Sequence, residues 1–218
     1  MPPNGVAVIA VVFVTRVKAC DQRGATRRAN VEAITNKVDG IHRMLPSLRA
    51  PATPALPAAP RTEPAGARWL SPAQLGRLVR GVAAAGEWLD QAMFCTDARW
   101  FHRLELTANY EIWLLSWLAG QHTGFHDHGV AAGAFVVAQG ELQETLARPG
   151  SRQLRYRPAA QGTVRMFGER HLHDLGNVCA TPAISVHAYS PPLTQMRRYE
   201  MTASGLGLVR TDHAELDW

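Results

Sequence analysis

Chemistry-bearing side chains in this sequence are concentrated in histidine. The chain has nine histidines in 218 residues, and eight of them follow position 100. His126 and His128 stand two apart in the run Gly124-Phe125-His126-Asp127-His128-Gly129. On an extended strand, residues i and i+2 point to the same face, so two imidazoles can be presented to one metal ion. Alone, such a pair is equally at home in a polar turn. A second cluster, His171-Leu172-His173-Asp174-Leu175-Gly176-Asn177, and His187 in Ile184-Ser185-Val186-His187-Ala188-Tyr189 add further imidazoles. Three imidazole-bearing strands of one small barrel can converge on its interior. Three neutral nitrogen ligands leave coordination positions open for substrate, which a catalytic site requires. That ligand set by itself would accept zinc, nickel or copper as readily as iron.

The elements that must position these residues are legible in outline. Ser71-Pro72 opens a helix, Ser as N-cap and Pro at the first helical position. Leu75, Leu78, Val79 and Val82 give that helix one apolar face. A second helical stretch is expected over residues 87–93. From Tyr110 the texture changes to short runs rich in Val, Ile, Trp, Phe and Tyr, separated by Gly, Pro and Asp. Strands are expected near 111–118, 133–139, 141–147, 153–157, 163–167, 173–178, 183–189 and 196–202. Many short strands at near-regular spacing argue for a mainly β barrel or sandwich. Short helices flanking it on the N-terminal side point to a jelly-roll β-barrel.

The net charge of +5 would invite a nucleic-acid reading if it were spread over that barrel. It is not. Residues 1–68 hold 10 Lys/Arg against 4 Asp/Glu, while residues 69–218 hold 13 Arg against 14 Asp/Glu. The first 68 residues also carry 8 of the 14 prolines, and residues 49–64 (RAPATPALPAAPRTEP) read as a Pro/Ala linker. Residues 27–45 can form a short helix on Val31, Ile34, Val38, Ile41 and Leu45. The expectation is a basic extension over 1–68, disordered or partly helical, or a start codon placed too far upstream, followed by one domain over 69–218. Neither a nucleic-acid nor a membrane partner is expected. Residues 6–14 (VAVIAVVFV) resemble a signal-peptide core but lack a preceding positive charge and a good cleavage site. Cys20, Cys95 and Cys179 are too few and scattered for a disulfide framework. A reducing cytoplasm is the expected compartment.

The histidine pattern resembles the cupin superfamily. Gly120, His126-x-His128 and Gly140 match the first cupin motif, although Ala132 and Gly133 stand where that motif has a glutamate. His173 and Asn177 match the end of the second motif, which favours His173 over His171 as the third ligand and leaves His171 at the rim. The resemblance narrows at Ser185-Val186-His187-Ala188-Tyr189-Ser190-Pro191-Pro192, and at Gly140-x-Leu142-x-Glu144 after His126-Asp127-His128. Together these resemble the thiol dioxygenases, specifically the cysteine dioxygenase family, of bacterial type, over about residues 70–202.

That resemblance implies a cupin-type jelly-roll and a non-haem Fe(II) held by His126, His128 and His173. It implies that Arg103, in Trp100-Phe101-His102-Arg103, grips the substrate carboxylate. Tyr189 would present its hydroxyl to the pocket, with His187 bonded to it and Ser185 orienting His187; these three form the expected catalytic set. The implied reaction oxidises L-cysteine with O2 to cysteine sulfinate, in a monomer. Gly133 replaces the cysteine that crosslinks to the pocket tyrosine in mammalian members, so no crosslink is expected. Phe101 replaces a possible second tyrosine. Two other thiols, 3-mercaptopropionate and cysteamine, are alternative substrates. A non-catalytic metal-binding cupin, or a three-histidine cupin acting on a carbon substrate, are alternatives of another kind.

Overall fold

The computed structural model describes residues 68–214. The extension expected before Arg68, with its helix at 27–45 and linker at 49–64, lies outside the described residues. One helix and eleven strands follow: α1 (Pro72–Ala85), β1 (Phe101–Leu106), β2 (Glu111–Trp117), β3 (His126–Asp127), β4 (Ala132–Gln139), β5 (Glu141–Leu146), β6 (Arg155–Ala160), β7 (Val164–Phe167), β8 (His173–Gly176), β9 (Ala183–Ser190), β10 (Gln195–Thr202) and β11 (Gly205–His213). Every strand pairing is antiparallel. One sheet has the order β1-β2-β9-β4-β7 and the other β11-β10-β3-β8-β5-β6. The result is the expected mainly β, double-sheet jelly-roll.

Strand alternation decides which residues enter the barrel. In β2, Trp113, Leu115 and Trp117 join the interior core with Phe135, Val137, Phe167 and Tyr189. Ile112 and Leu114 face the other way, onto a second core with Val136, Val186, Leu75 and Val79. The first sheet is thus covered outside by α1. That cover follows from sequence: the Ser71 side chain accepts from Gln74 N while the Gln74 side chain bonds back to Ser71 N, a reciprocal cap worth about 1 kcal/mol. Leu75 and Val79 are fully buried, at about 1.5–3 kcal/mol apiece.

Two expectations change. Residues 87–93 form turns rather than a second helix, because α1 stops at a left-handed Gly86 and Trp88 is pinned in the core, its indole donating to the Ala83 carbonyl. Three strands were not foreseen: β1, β3 and β11. β1 and β11 are sheet edges; β1 is largely exposed, and β11 mixes buried and exposed, apolar and polar residues irregularly, so neither carries a strong alternation. β3 is two residues long. The tight passage from β4 to β5 turns on Gly140 at φ 74°, where a Cβ would lie 2.7 Å from the Pro182 carbonyl oxygen. Among the described residues no helix is long and apolar enough to cross a membrane.

Candidate functional site

His126, on β3, pairs directly with His173, on β8. Asp127 between the two histidines points the other way. Its carboxylate accepts from Gly129 N at 2.9 Å, Arg197 Nε at 2.8 Å and the Tyr199 hydroxyl at 2.7 Å. This clamp holds the short strand to β10 and leaves His126 and His128 facing the interior. One potential ligand atom each from His126, His128 and His173 lies within 4.8 Å of the others.

The protonation states suit a cation. All three rings are buried, and burial pushes their pKa values below the ordinary histidine value, with the neighbouring imidazoles adding to the effect. They are neutral at pH 7. His126 Nδ1 donates to the Gly124 carbonyl at 2.9 Å, and His173 Nδ1 donates to Glu144 Oε1 at 3.0 Å. Each therefore keeps its Nε2 lone pair for a ligand bond. Both ring nitrogens of His128 are buried without a hydrogen-bond partner, a costly arrangement unless something else engages them. A divalent metal ion fits this donor set.

Glu144 is the structural hub behind His173. It is fully buried. It accepts from His171 Nε2 at 2.8 Å as well as from His173, and it forms ion pairs with Arg157 and Arg165 from the barrel's flank. Burial works to raise its pKa, but the hydrogen bonds from His171 and His173 outweigh that and hold it well below the usual carboxylate range. His171 is thus not part of the buried triad; it orients the carboxylate that orients His173. Its ring stacks on Phe167 at 4.5 Å, and Phe167 in turn stacks on His128 at 5.3 Å.

Ser185, His187 and Tyr189 share the inner face of β9. The Trp117 indole donates to Ser185 Oγ at 2.9 Å, Ser185 Oγ lies 2.8 Å from His187 Nε2, and His187 Nδ1 lies 3.3 Å from the Tyr189 hydroxyl. Burial holds His187 neutral and pushes the Tyr189 pKa up. Tyr189 therefore stays protonated and can serve as a hydrogen-bond donor. Its ring is 4.8 Å from that of His128. Gly133 pairs with Tyr189 across the sheet. A Cβ there would come within 2.4 Å of the Phe167 ring, so the space a side chain would need is filled by the ring that packs on His128.

Beside the triad lies a cavity of about 180 Å³, lined by Arg99, Phe101, Trp113, Leu115, Tyr189, Leu193, Met196 and Arg198. Arg103 is not in its wall. That side chain is 45% exposed and pairs with Glu111 at 3.7 Å, its guanidinium resting over the Trp113 ring. Two arginines line the cavity instead, Arg198 on β10 and Arg99 just before β1; the nearer in sequence to Arg103 is Arg99. Burial brings its pKa down to about 10. It lies over the Phe101 and Trp117 rings, and among the described residues no carboxylate pairs with it. Sequence reasoning passed over Arg99 because β1 itself was not foreseen. Without the strand, nothing separates Arg99 from Arg103, which lies four residues on. A larger groove of about 850 Å³ lies between α1 and β1–β2, lined by residues such as Leu78, Trp88 and Tyr110, and contains none of these groups.

A family model described as cysteine dioxygenase type I matches residues 78–202. A curated relative, cysteine dioxygenase type 1 of Danio rerio, is 29% identical over 125 residues, covering 52% of this chain and 62% of that protein. Among solved structures, TT1209 from Thermus thermophilus is 17% identical, covering 48% of this chain and 94% of its own, with a TM-score of 0.42. An RmlC-like cupin protein from Desulfovibrio desulfuricans is 21% identical, covering 49% and 95%, also at 0.42.

Proposed function

This chain belongs to the cysteine dioxygenase type I family, and from that premise we propose that it is a metal-dependent dioxygenase converting the thiol of a small carboxylate-bearing substrate to a sulfinate. L-Cysteine is the reference substrate. The reaction balances without a further reductant. The S–H and O–O bonds break, two S–O bonds form, and sulfur gives up the four electrons that O2 takes.

His126, His128 and His173 would hold the metal, a ferrous ion in this reading. When bound, that ion supplies the one-electron chemistry that lets O2 react with a thiolate. Three neutral imidazoles contribute no negative charge, so a thiolate can join them without accumulating anions in a buried site. Arg99, rather than Arg103, takes the substrate carboxylate. Its fork can bond both oxygens, and a carboxylate would answer a guanidinium that now has none. Phe101, Trp113, Leu115, Leu193 and Met196 form an apolar wall that excludes water and strengthens those charge contacts. The Tyr189 hydroxyl donates toward the reacting atoms. His187, backed by Ser185 and Trp117, positions it. The Cys179 thiol, outside any disulfide, suits a cytoplasmic setting.

The observation carrying this reading is the juxtaposition of a buried, neutral imidazole triad with a cavity whose Arg99 has no counter-ion among the described residues. Oxygen consumption by the iron-loaded protein over a panel of thiols tests it. L-Cysteine and 3-mercaptopropionate should be oxidised; cysteamine, which has no carboxylate, should be oxidised much more slowly. Equal rates for cysteamine would remove Arg99 from the account.

A further inference from the structure

The same cavity contains a second guanidinium. Arg198 sits on β10 opposite His126 and lines the wall together with Arg99. It is fixed from behind: its Nε donates to Asp212 Oδ2 at 2.7 Å and one Nη to the Thr123 carbonyl at 3.2 Å. Asp212 does not belong to Arg198 alone. Its other oxygen receives Arg210 Nε at 2.8 Å, so one carboxylate is shared between two arginines. The charge on Arg198 is therefore only partly offset, and it is felt at Arg99, whose pKa it helps to lower.

The rest of the wall sharpens the imbalance. Its other members are Phe101, Trp113, Leu115, Tyr189, Leu193 and Met196, and none carries a negative charge. A small, largely apolar cavity thus faces two guanidiniums and offers no carboxylate in return. Like charges confined in such a wall repel each other. An occupant with acceptors on two sides relieves that repulsion. One carboxylate can serve one guanidinium bidentately; a second guanidinium calls for a second anionic group. The α-ammonium of cysteine would bring a third positive charge instead.

We propose that Arg198 is a specificity-determining residue forming a second anion subsite, so that the cavity takes small thiols bearing two carboxylates in preference to cysteine. The thiol part of this proposal rests on the dioxygenase reading above; the two-anion part does not.

Binding and turnover therefore test the two separately. Anaerobic calorimetry on the iron-loaded full chain uses succinate and propionate, which carry no sulfur. Succinate should bind at least about tenfold more tightly than propionate, the effect of one added charge-assisted contact. In Arg198→Met that advantage should fall below about threefold, while Arg152→Gln, at an exposed residue outside the cavity wall that bonds the Thr202 and Ala203 carbonyls, should keep it. Equal affinities for the two acids in the native protein would overturn the proposal, whether or not Arg198→Met folds. So would an advantage that Arg198→Met leaves intact. In turnover, 2-mercaptosuccinate should exceed L-cysteine in kcat/KM by about tenfold, and a native preference for cysteine would also overturn the proposal. If no thiol at all consumes oxygen, the dioxygenase reading fails, and the succinate result still decides the anion subsite.

Discussion

The barrel interior has two chemically opposite walls. On the β3–β8 wall, neutral imidazoles converge, their outer nitrogens tied to the Gly124 carbonyl and to Glu144. On the β1–β10 wall, two arginines line a cavity whose lining holds no carboxylate. The first wall offers lone pairs suited to a cation; the second offers donors suited to an anion. A substrate with a thiolate at one end and a carboxylate at the other would reach from a metal held by the first wall to the guanidiniums of the second. Neither wall would be selected for stability alone, since each leaves buried polar groups unmatched.

Breaking the imidazole wall should have the largest effect. His128→Ala should abolish stoichiometric iron binding and oxygen consumption together, as read by metal analysis and an oxygen electrode; retained iron would mean that the ion sits elsewhere. Breaking the guanidinium wall is the next largest. Arg99→Gln should raise KM for a carboxylate thiol by roughly 10–100-fold, the loss of a charge-assisted pair worth about 1.5–3 kcal/mol. Arg103→Gln should change KM by less than about twofold, since exposed ion pairs contribute little. The reverse ranking would return the carboxylate to Arg103.

Loosening the imidazole wall from behind is subtler. Glu144→Gln should weaken iron affinity by about 10–100-fold while leaving all three imidazoles in place, measurable by competition with a chelator. Unchanged affinity would reduce Glu144 to a packing role. The smallest effect concerns acid. Burial depresses the pKa values of His126, His128, His173 and His187, so in the unfolded chain these residues take up protons that the folded metal-free protein refuses. Stability is fully present above the ordinary histidine value of about 6.5 and is lost as pH falls below it. Thermal unfolding of the metal-free protein should shift downward between about pH 7 and pH 5.5, and a flat profile would contradict the neutral triad. Iron-loaded protein should show the shift too, because protons compete for the same nitrogens.

The unequal legibility of the two walls has a physical cause. His126 and His128 stood out because residues i and i+2 of a strand share a face, while His173 was preferred over His171 only through the resemblance of His173 and Asn177 to the second cupin motif. Ser185, His187 and Tyr189 came from the family resemblance, and their i, i+2, i+4 spacing on one strand made the relay geometrically possible. The β strands with two buried faces, β2, β4 and β9, announce themselves by apolar runs. The arginines do not. Arg99 lies in the segment leading into an edge strand with an exposed face, and Arg198 stands next to Arg197 in a strand of mixed burial. Nothing local distinguishes the arginine that enters the cavity from the one that pairs with Asp127 or Glu111. That choice is made by register: β10 aligns Arg198 with His126, and β1 aligns Arg103 with Trp113. Glu144 illustrates the same limit. Its place in a motif was visible, but its bond to His173 exists only because β5 and β8 are paired.

The central claim is that the imidazole wall holds iron and the opposite wall delivers a thiol to it. Its most direct test is one experiment on purified, iron-loaded protein given L-cysteine and isotopically labelled O2. The account predicts oxygen consumption matched by sulfinate formation, with both oxygen atoms of the product labelled. Bound iron with no oxygen consumption, or sulfinate carrying label from water, would contradict it.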